Sequence, residues 1–157
     1  MKTILITGAT SGIGLAAAKK LANSKNNLIL CGRRQHKLDE ISNELSKITN
    51  VLPLCFDVSN KNEVNRLLND LPDEFNSIDI LINNAGNAHG LDTIQDGSLD
   101  DWDNMIDSNV KGLIYVSRVI MPKMIEQQSG HIINIGSLAG REVYEKGNIY
   151  CATKHAV

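Results

Sequence analysis

A tyrosine and a lysine stand four residues apart in Tyr150-Cys151-Ala152-Thr153-Lys154. On a helix that spacing puts both side chains on one face, with Cβ atoms about 5–6 Å apart. A free phenol titrates near ~10 and exchanges protons poorly at neutral pH. An ammonium fixed beside it favours the phenolate and moves the phenol toward the working range. Such a pair is equipped to pass a proton to or from a substrate hydroxyl or carbonyl. The same spacing also occurs on ordinary solvated helix faces, so its meaning depends on its neighbours.

Four other stretches carry residue types suited to a phosphate-bearing ligand. Gly8-Ala9-Thr10-Ser11-Gly12-Ile13-Gly14 follows an apolar run and opens a helical one. Glycines there permit a sharp turn and let a pyrophosphate approach the helix N-terminus, where free N–H groups and the dipole favour an anion. The G-x-x-x-G-x-G spacing also suits a purely structural turn. Farther on, Leu30-Cys31-Gly32-Arg33-Arg34 ends a second apolar run. An acidic side chain at such a place would read a ribose 2′-hydroxyl and favour NAD. Arg33 and Arg34 instead offer bidentate donors for a 2′-phosphate, so NADP is the expected cofactor, the other reading being two solvated arginines at a helix start. Asp57-Val58 and Asn84-Ala85-Gly86 follow the third and fourth runs. Asp57 is placed to accept from an adenine amino group and the Ala85-Gly86 step to let the backbone pass a ribose, although Asn, Asp and Gly are also ordinary turn residues. Ser137, after the fifth run, offers a hydroxyl to hold a reacting oxygen beside Tyr150.

The elements that must position these residues alternate in the manner of βα units around a parallel sheet. Strands are expected at Thr3 to Ile6, Asn27 to Cys31, Val51 to Phe56, Ile78 to Ile82 and His131 to Gly136. Helices are expected at Gly12 to Ala22, Gln35 to Ser46 and Asn60 to Leu71, the last with Asn60 and Glu63 as a capping pair. A further helix starts near Ser98 and Asp101 and runs toward Pro122. The fold class is α/β, a doubly wound parallel sheet, whose ligands bind beyond the carboxyl ends of the strands. All the residues above fall at that edge.

At 157 residues, one domain is expected. Sixteen basic against 18 acidic residues give a formal charge of −2 without a long basic block, which points away from nucleic acid and membrane surfaces. The first residues lack the hydrophobic segment and cleavage site of a signal peptide, and no run of about 20 apolar residues exists, so a cytoplasmic protein is expected. Cys31, Cys55 and Cys151 show no CxxC spacing, and the four histidines are scattered. Reduced thiols and no metal site follow.

Thr7-Gly8-x-x-x-Gly12-Ile13-Gly14, Asn83-Asn84-Ala85-Gly86, Asn109, Ser137 and Tyr150-x-x-x-Lys154 resemble, in order and placement, the short-chain dehydrogenases/reductases. The resemblance extends over the whole chain. It implies a Rossmann-type fold and reversible hydride transfer between a carbinol carbon and a nicotinamide cofactor. It implies Tyr150 as general acid/base, Ser137 as the group that positions and polarises the substrate oxygen, and Lys154 as the residue that lowers the Tyr150 pKa and holds the nicotinamide ribose. Asn109 would anchor a water that continues the proton relay. Cys31-Gly32-Arg33-Arg34-Gln35, Asp101-Trp102-x-x-Met105-Ile106-Asp107 and Gly130-His131-Ile132-Ile133-Asn134-Ile135-Gly136-Ser137 further resemble the NADP-dependent 3-hydroxy acid dehydrogenases, which act on serine, allo-threonine and malonic semialdehyde. Many NADP-preferring members carry a basic residue just before the second glycine, where Ser11 stands here, so the NADP expectation leans on Arg33 and Arg34. The resemblance implies small hydroxy acid or carbonyl substrates and a homo-oligomer, commonly a tetramer, at full length. It also implies a chain cut after the fifth strand and the start of the next helix, so that residues 1–157 are an incomplete Rossmann-type domain. The alternative expectation is a non-catalytic remnant that binds a nucleotide or a partner.

Overall fold

The computed structural model describes all 157 residues. Five strands form one parallel sheet: β1 (Lys2–Thr7), β2 (Asn26–Gly32), β3 (Val51–Cys55), β4 (Ile80–Asn83) and β5 (His131–Asn134), in the order β3-β2-β1-β4-β5. Every pairing is parallel, with Thr7 opposite Cys31 and Asn83 opposite Asn134 at the carboxyl ends. Strands β1 and β2 are almost continuously buried, with apolar runs at Ile4–Ile6 and Leu28–Cys31, because helices cover both faces of the sheet.

Successive side chains of a strand point to opposite faces, and the core divides accordingly. Leu5, Ile29, Cys31 and Leu81 face one cluster, with Val64 and Leu68 of α3 (Lys61–Asn69), Phe75 of the single-turn α4 (Asp73–Asn76), and Val116, Val119 and Ile120 farther along the chain. Ile4, Ile6, Leu28, Leu30 and Ile82 face the other, against Ala18 of α1 (Gly12–Leu21) and Leu38, Ile41 and Leu45 of α2 (Gln35–Leu45). The chain order reverses between β1 and β4, which opens a crevice at their carboxyl ends. Cys31 and Cys151 are buried and Cys55 is half-buried, all as free thiols.

Several boundaries differ from expectation for local reasons. Ile78 is fully buried but precedes the fourth ladder, because Asp79 turns its carboxylate onto the Thr3 N–H at 2.8 Å. Asn60 caps α3 by accepting from the Asn62 and Glu63 N–H groups, so it stands outside the helix it was expected to open. Ser98 caps α5 (Leu99–Ile106) through the Asp101 N–H. That helix continues through a π-helical turn (Asp107–Gly112) into α6 (Leu113–Glu126), which passes Pro122 by four residues. Proline removes one helix hydrogen bond. Beyond it, however, Met124 is buried in the core, and Lys123 Nζ donates to the Leu68 carbonyl at 3.0 Å and to Asn76 Oδ1 at 2.7 Å. After β5 come a 3₁₀ turn (Leu138–Gly140) and α7 (Asn148–Ala156).

Candidate active site

The glycine-rich turn lies where β1 delivers it, at the crevice. Gly8 and Gly12 have φ of 66° and 53°, in the left-handed region that glycine enters without strain. A Cβ at Gly12 would meet no protein atom within 4 Å, so the turn leaves open space before it. A Cβ at Gly14 would stand 2.4 Å from both the Gly8 carbonyl oxygen and Asn84 Nδ2, which shows how tightly α1 abuts the turn. The start of α1 has no side-chain cap and no acidic residue in its first turn. Its unpaired N–H groups and dipole therefore suit an anion.

A cleft of about 600 Å³ opens from this turn. Gly8, Thr10, Ser11, Gly12 and Ile13 form part of its wall, with Arg33 and Arg34 beyond β2 and Asp57 and Val58 beyond β3. Asn84, Ala85 and Gly86 beyond β4, and Tyr150 and Lys154 from α7, are also part of it. Residues far apart in sequence are thus brought to one surface. Ala9 and Gly14 lie behind the wall: Ala9 is fully buried and its N–H donates to the Cys31 carbonyl at 3.0 Å. Ser137 stands one residue past Gly136 of the wall and caps the 3₁₀ turn. Its hydroxyl accepts from the Ala139 N–H at 3.2 Å and keeps its own proton to donate. Sequence reading missed Asn87, Ser108 and Ile135, which also line the cleft. Their position just after the β4 turn, in the π-helical turn and just after β5 was the available signal.

The two arginines are held differently. Arg34 Nη2 donates to Thr10 Oγ1 at 2.7 Å and to Ser11 Oγ at 3.0 Å, tying the end of β2 to the glycine-rich turn. Arg33 pairs with Asp57 at 3.2 Å while its side chain remains 66% exposed. Partial burial alone would raise the Asp57 carboxyl. The Ser59 N–H and hydroxyl, together with the Arg33 guanidinium, outweigh that and hold it below its ordinary value. Asn84 spends its amide on the Thr7 and Gly8 carbonyls, while Thr7 Oγ1 accepts from the Asn84 and Ala85 N–H groups. The β1 and β4 ends are thereby joined.

Tyr150 and Lys154 lie one helical turn apart on α7, both half-buried. Lys154 Nζ donates to the Ile135 carbonyl at 2.9 Å, and burial pushes its pKa below the ordinary lysine value. Asn109 is buried in the π-helical turn. Its Oδ1 accepts from the Asn87 N–H at 2.8 Å, and its Nδ2 donates to the Asn87 carbonyl at 2.9 Å and to Thr153 Oγ1 at 3.1 Å. Both amide hydrogens are engaged, so a water held by this side chain would have to bond at the carbonyl side. Gly86 closes the group: a Cβ there would lie 2.9 Å from Asn109 Oδ1 and 3.9 Å from Lys154 Nζ.

The residues fit a dinucleotide: an open glycine turn at a helix start, two guanidiniums at one side and a tyrosine with a lysine at the other. Comparison with known proteins agrees. An NADP-dependent 3-hydroxy acid dehydrogenase, YdfG of Salmonella typhi, is 44% identical over 151 residues, covering 96% of this chain and 60% of that protein. The NADP-dependent 3-hydroxy acid dehydrogenase of Schizosaccharomyces pombe is 46% identical over 159 residues, covering 99% and 61%. The chain thus spans about 60% of the length of these curated relatives. The crystal structure of serine dehydrogenase from Escherichia coli superposes with a TM-score of 0.91 at 43% identity, over 98% of this chain and 70% of that one. The closed form of serine dehydrogenase complexed with NADP+ gives 0.91 and 43%, over 98% and 61%. The family model for short chain dehydrogenases matches residues 2–157, and with the sheet order and the cleft already described, the chain belongs to the short chain dehydrogenase family.

Proposed function

We propose that residues 1–157 form the cofactor-binding and proton-transferring domain of an NADP-dependent oxidoreductase acting on a small 3-hydroxy acid or its semialdehyde. The observation that carries this reading is the distribution of charge and hydroxyl groups along one cleft wall. Across the sheet it runs from Asp57 at β3, through Arg33 and Arg34 at β2 and the glycine turn at β1, to Tyr150 and Lys154 beside β5. Arg33 and Arg34 suit the 2′-phosphate that separates NADP from NAD, and the relatives named above are NADP-dependent. When bound, the nicotinamide supplies the acceptor or donor of the hydride.

The chain's own residues handle the proton. In the oxidising direction Tyr150 takes the proton of the substrate hydroxyl while the carbinol C–H bond breaks and its electron pair leaves with the hydride. The Ser137 hydroxyl donates to the same substrate oxygen and holds it beside the phenol. Lys154 supplies the positive charge that a tyrosinate needs nearby, and it stands beside Gly86 where a ribose passes. Reduction of the semialdehyde reverses each step. The homo-oligomer expected from the resemblance and the cytoplasmic setting expected from the sequence belong to the same proposal.

A second reading, nucleotide binding without turnover, draws on the outer edge of β5, which pairs with no strand and leaves Ile132 and Ile133 only half-buried. The absorbance of reduced nicotinamide, followed with NADP+ and serine or 3-hydroxypropionate, separates the two. Residues 1–157 alone are expected to turn over little or not at all; in the chain extended to the length of its relatives turnover is expected, and Tyr150→Phe is expected to lower it by about 100-fold or more while NADPH binding, read by its fluorescence, changes little. Binding without turnover in that extended chain, indifferent to Tyr150→Phe, would sink the first reading and favour the second.

A further inference from the structure

Three side-chain hydrogen bonds tie α7 to the rest of the protein. Asn148 Nδ2 donates to the Asp92 carbonyl at 3.0 Å in an exposed position, and Lys154 Nζ reaches the Ile135 carbonyl from a half-buried one. The third joins Asn109 Nδ2 to Thr153 Oγ1, and both residues are 2% exposed. Exposed bonds exchange readily with water, whereas breaking a buried one leaves a polar group without a partner. The Asn109–Thr153 bond is therefore the tether that resists exchange. It matters the more because Gly147, at the cap position before α7, offers no side-chain cap.

Thr153 stands between the two residues of the proposed chemistry. Its hydroxyl accepts from Asn109 and donates to the Tyr150 carbonyl at 2.8 Å, and Lys154 is the next residue. On the other side, Asn109 grips Asn87 by both its N–H and its carbonyl, and Asn87 follows Gly86 on the cleft wall. A continuous set of bonds, part-buried at both ends and buried at Asn109–Thr153, thus runs from the turn after β4, through the π-helical turn, into the turn of α7 that bears Tyr150 and Lys154. We infer that Thr153 is a positioning residue, whose hydroxyl fixes where Tyr150 and Lys154 stand relative to the Gly86–Asn87 wall. A residue that only fills space would need its methyl group and volume, not its hydroxyl.

The activity arm of the test rests on the proposed dehydrogenase reading; a second arm does not. Thr153→Val keeps the shape and removes the hydroxyl, and Thr153→Ser keeps the hydroxyl. In the chain extended to the length of its relatives, Thr153→Val is expected to lower kcat by about tenfold to a hundredfold, the scale of a small misplacement of reacting groups, with KM for the hydroxy acid within about threefold and Thr153→Ser close to the parent. Unchanged kcat in Thr153→Val, or equal impairment of both variants, overturns the inference. The second arm follows the Lys154 ammonium by NMR of the lysine 13Cε–15Nζ pair across pH, with no cofactor present. Its midpoint is expected below that of an ordinary lysine in the parent and in Thr153→Ser, and to move up toward the ordinary value in Thr153→Val. A midpoint that ignores the valine overturns the inference even where turnover is absent. Absent turnover with the expected NMR shift would instead count against the dehydrogenase reading alone.

Discussion

Arg33 and Arg34 are adjacent in sequence and chemically identical, yet the fold gives them different partners. Arg34 is drawn onto the Thr10 and Ser11 hydroxyls, while Arg33 turns to Asp57. The sequence revealed both guanidiniums and both neighbouring loops, because strand ends and turn residues are legible from their types. It did not reveal which arginine met which loop. That depends on side chains leaving a strand end in opposite directions and on partners 23 or 24 positions away. The Asp57 carboxylate is held below its ordinary value of 3.8 in the fold, so its contribution to stability is present above that value and is lost as the pH falls through the lower folded one. Asp57→Asn is therefore expected to reduce stability by about 0.5–1 kcal/mol at neutral pH, a small effect because the pair with Arg33 is solvent-screened. The deficit should narrow steadily below about pH 4. Urea midpoints of the two proteins at stepped pH test this, and a deficit that stays constant into acid would contradict it.

Elements show a sharper division between what sequence patterns convey and what packing decides. Five strands, the helix after the glycine turn and the capping asparagine and serine were all legible, since periodicity and cap chemistry are local. The π-helical turn at Asp107–Gly112 was not, because no residue type marks it and its use becomes visible only when Asn109 meets Asn87 and Thr153. The passage of α6 beyond Pro122 was missed for a related reason: the core and the Lys123 contacts that sustain it come from elsewhere in the chain. Gly12 and Gly14 look alike in the motif but differ in the fold. Alanine at Gly14 gains about 1 kcal/mol of helix propensity, yet its methyl would press on the Gly8 backbone carbonyl, which cannot swing away. Gly14→Ala should thus be destabilised on balance by about 1–3 kcal/mol and bind NADPH more weakly. At Gly12 the space is open and only the left-handed φ opposes alanine, with an expected cost of about 1–2 kcal/mol. Thermal melts and fluorescence titrations of the two variants check the contrast.

At the scale of the molecule, the alternating strands sort apolar side chains into two cores with the sheet between them. That arrangement was legible because each central strand is apolar on both faces. No helix is long and apolar enough to cross a membrane. The three free cysteines are distributed unequally over this architecture, one deep in β2, one on α7 and one at the end of β3. Burial raises the Cys31 thiol far above its ordinary pKa, so it presents no reactive thiolate in the folded protein. Cys55 should therefore take up an alkylating reagent first, and Cys151 and Cys31 only when their elements open. Brief alkylation at rising urea, read by mass spectrometry, is expected to modify Cys151 at a lower concentration than Cys31, because α7 is held by few buried tethers and β2 lies between two strands. Simultaneous labelling would mean that helix and sheet unfold as one unit. The chain thus carries its own stopwatch: three thiols of one chemical kind, set at different depths, which record the sequence in which the fold comes apart.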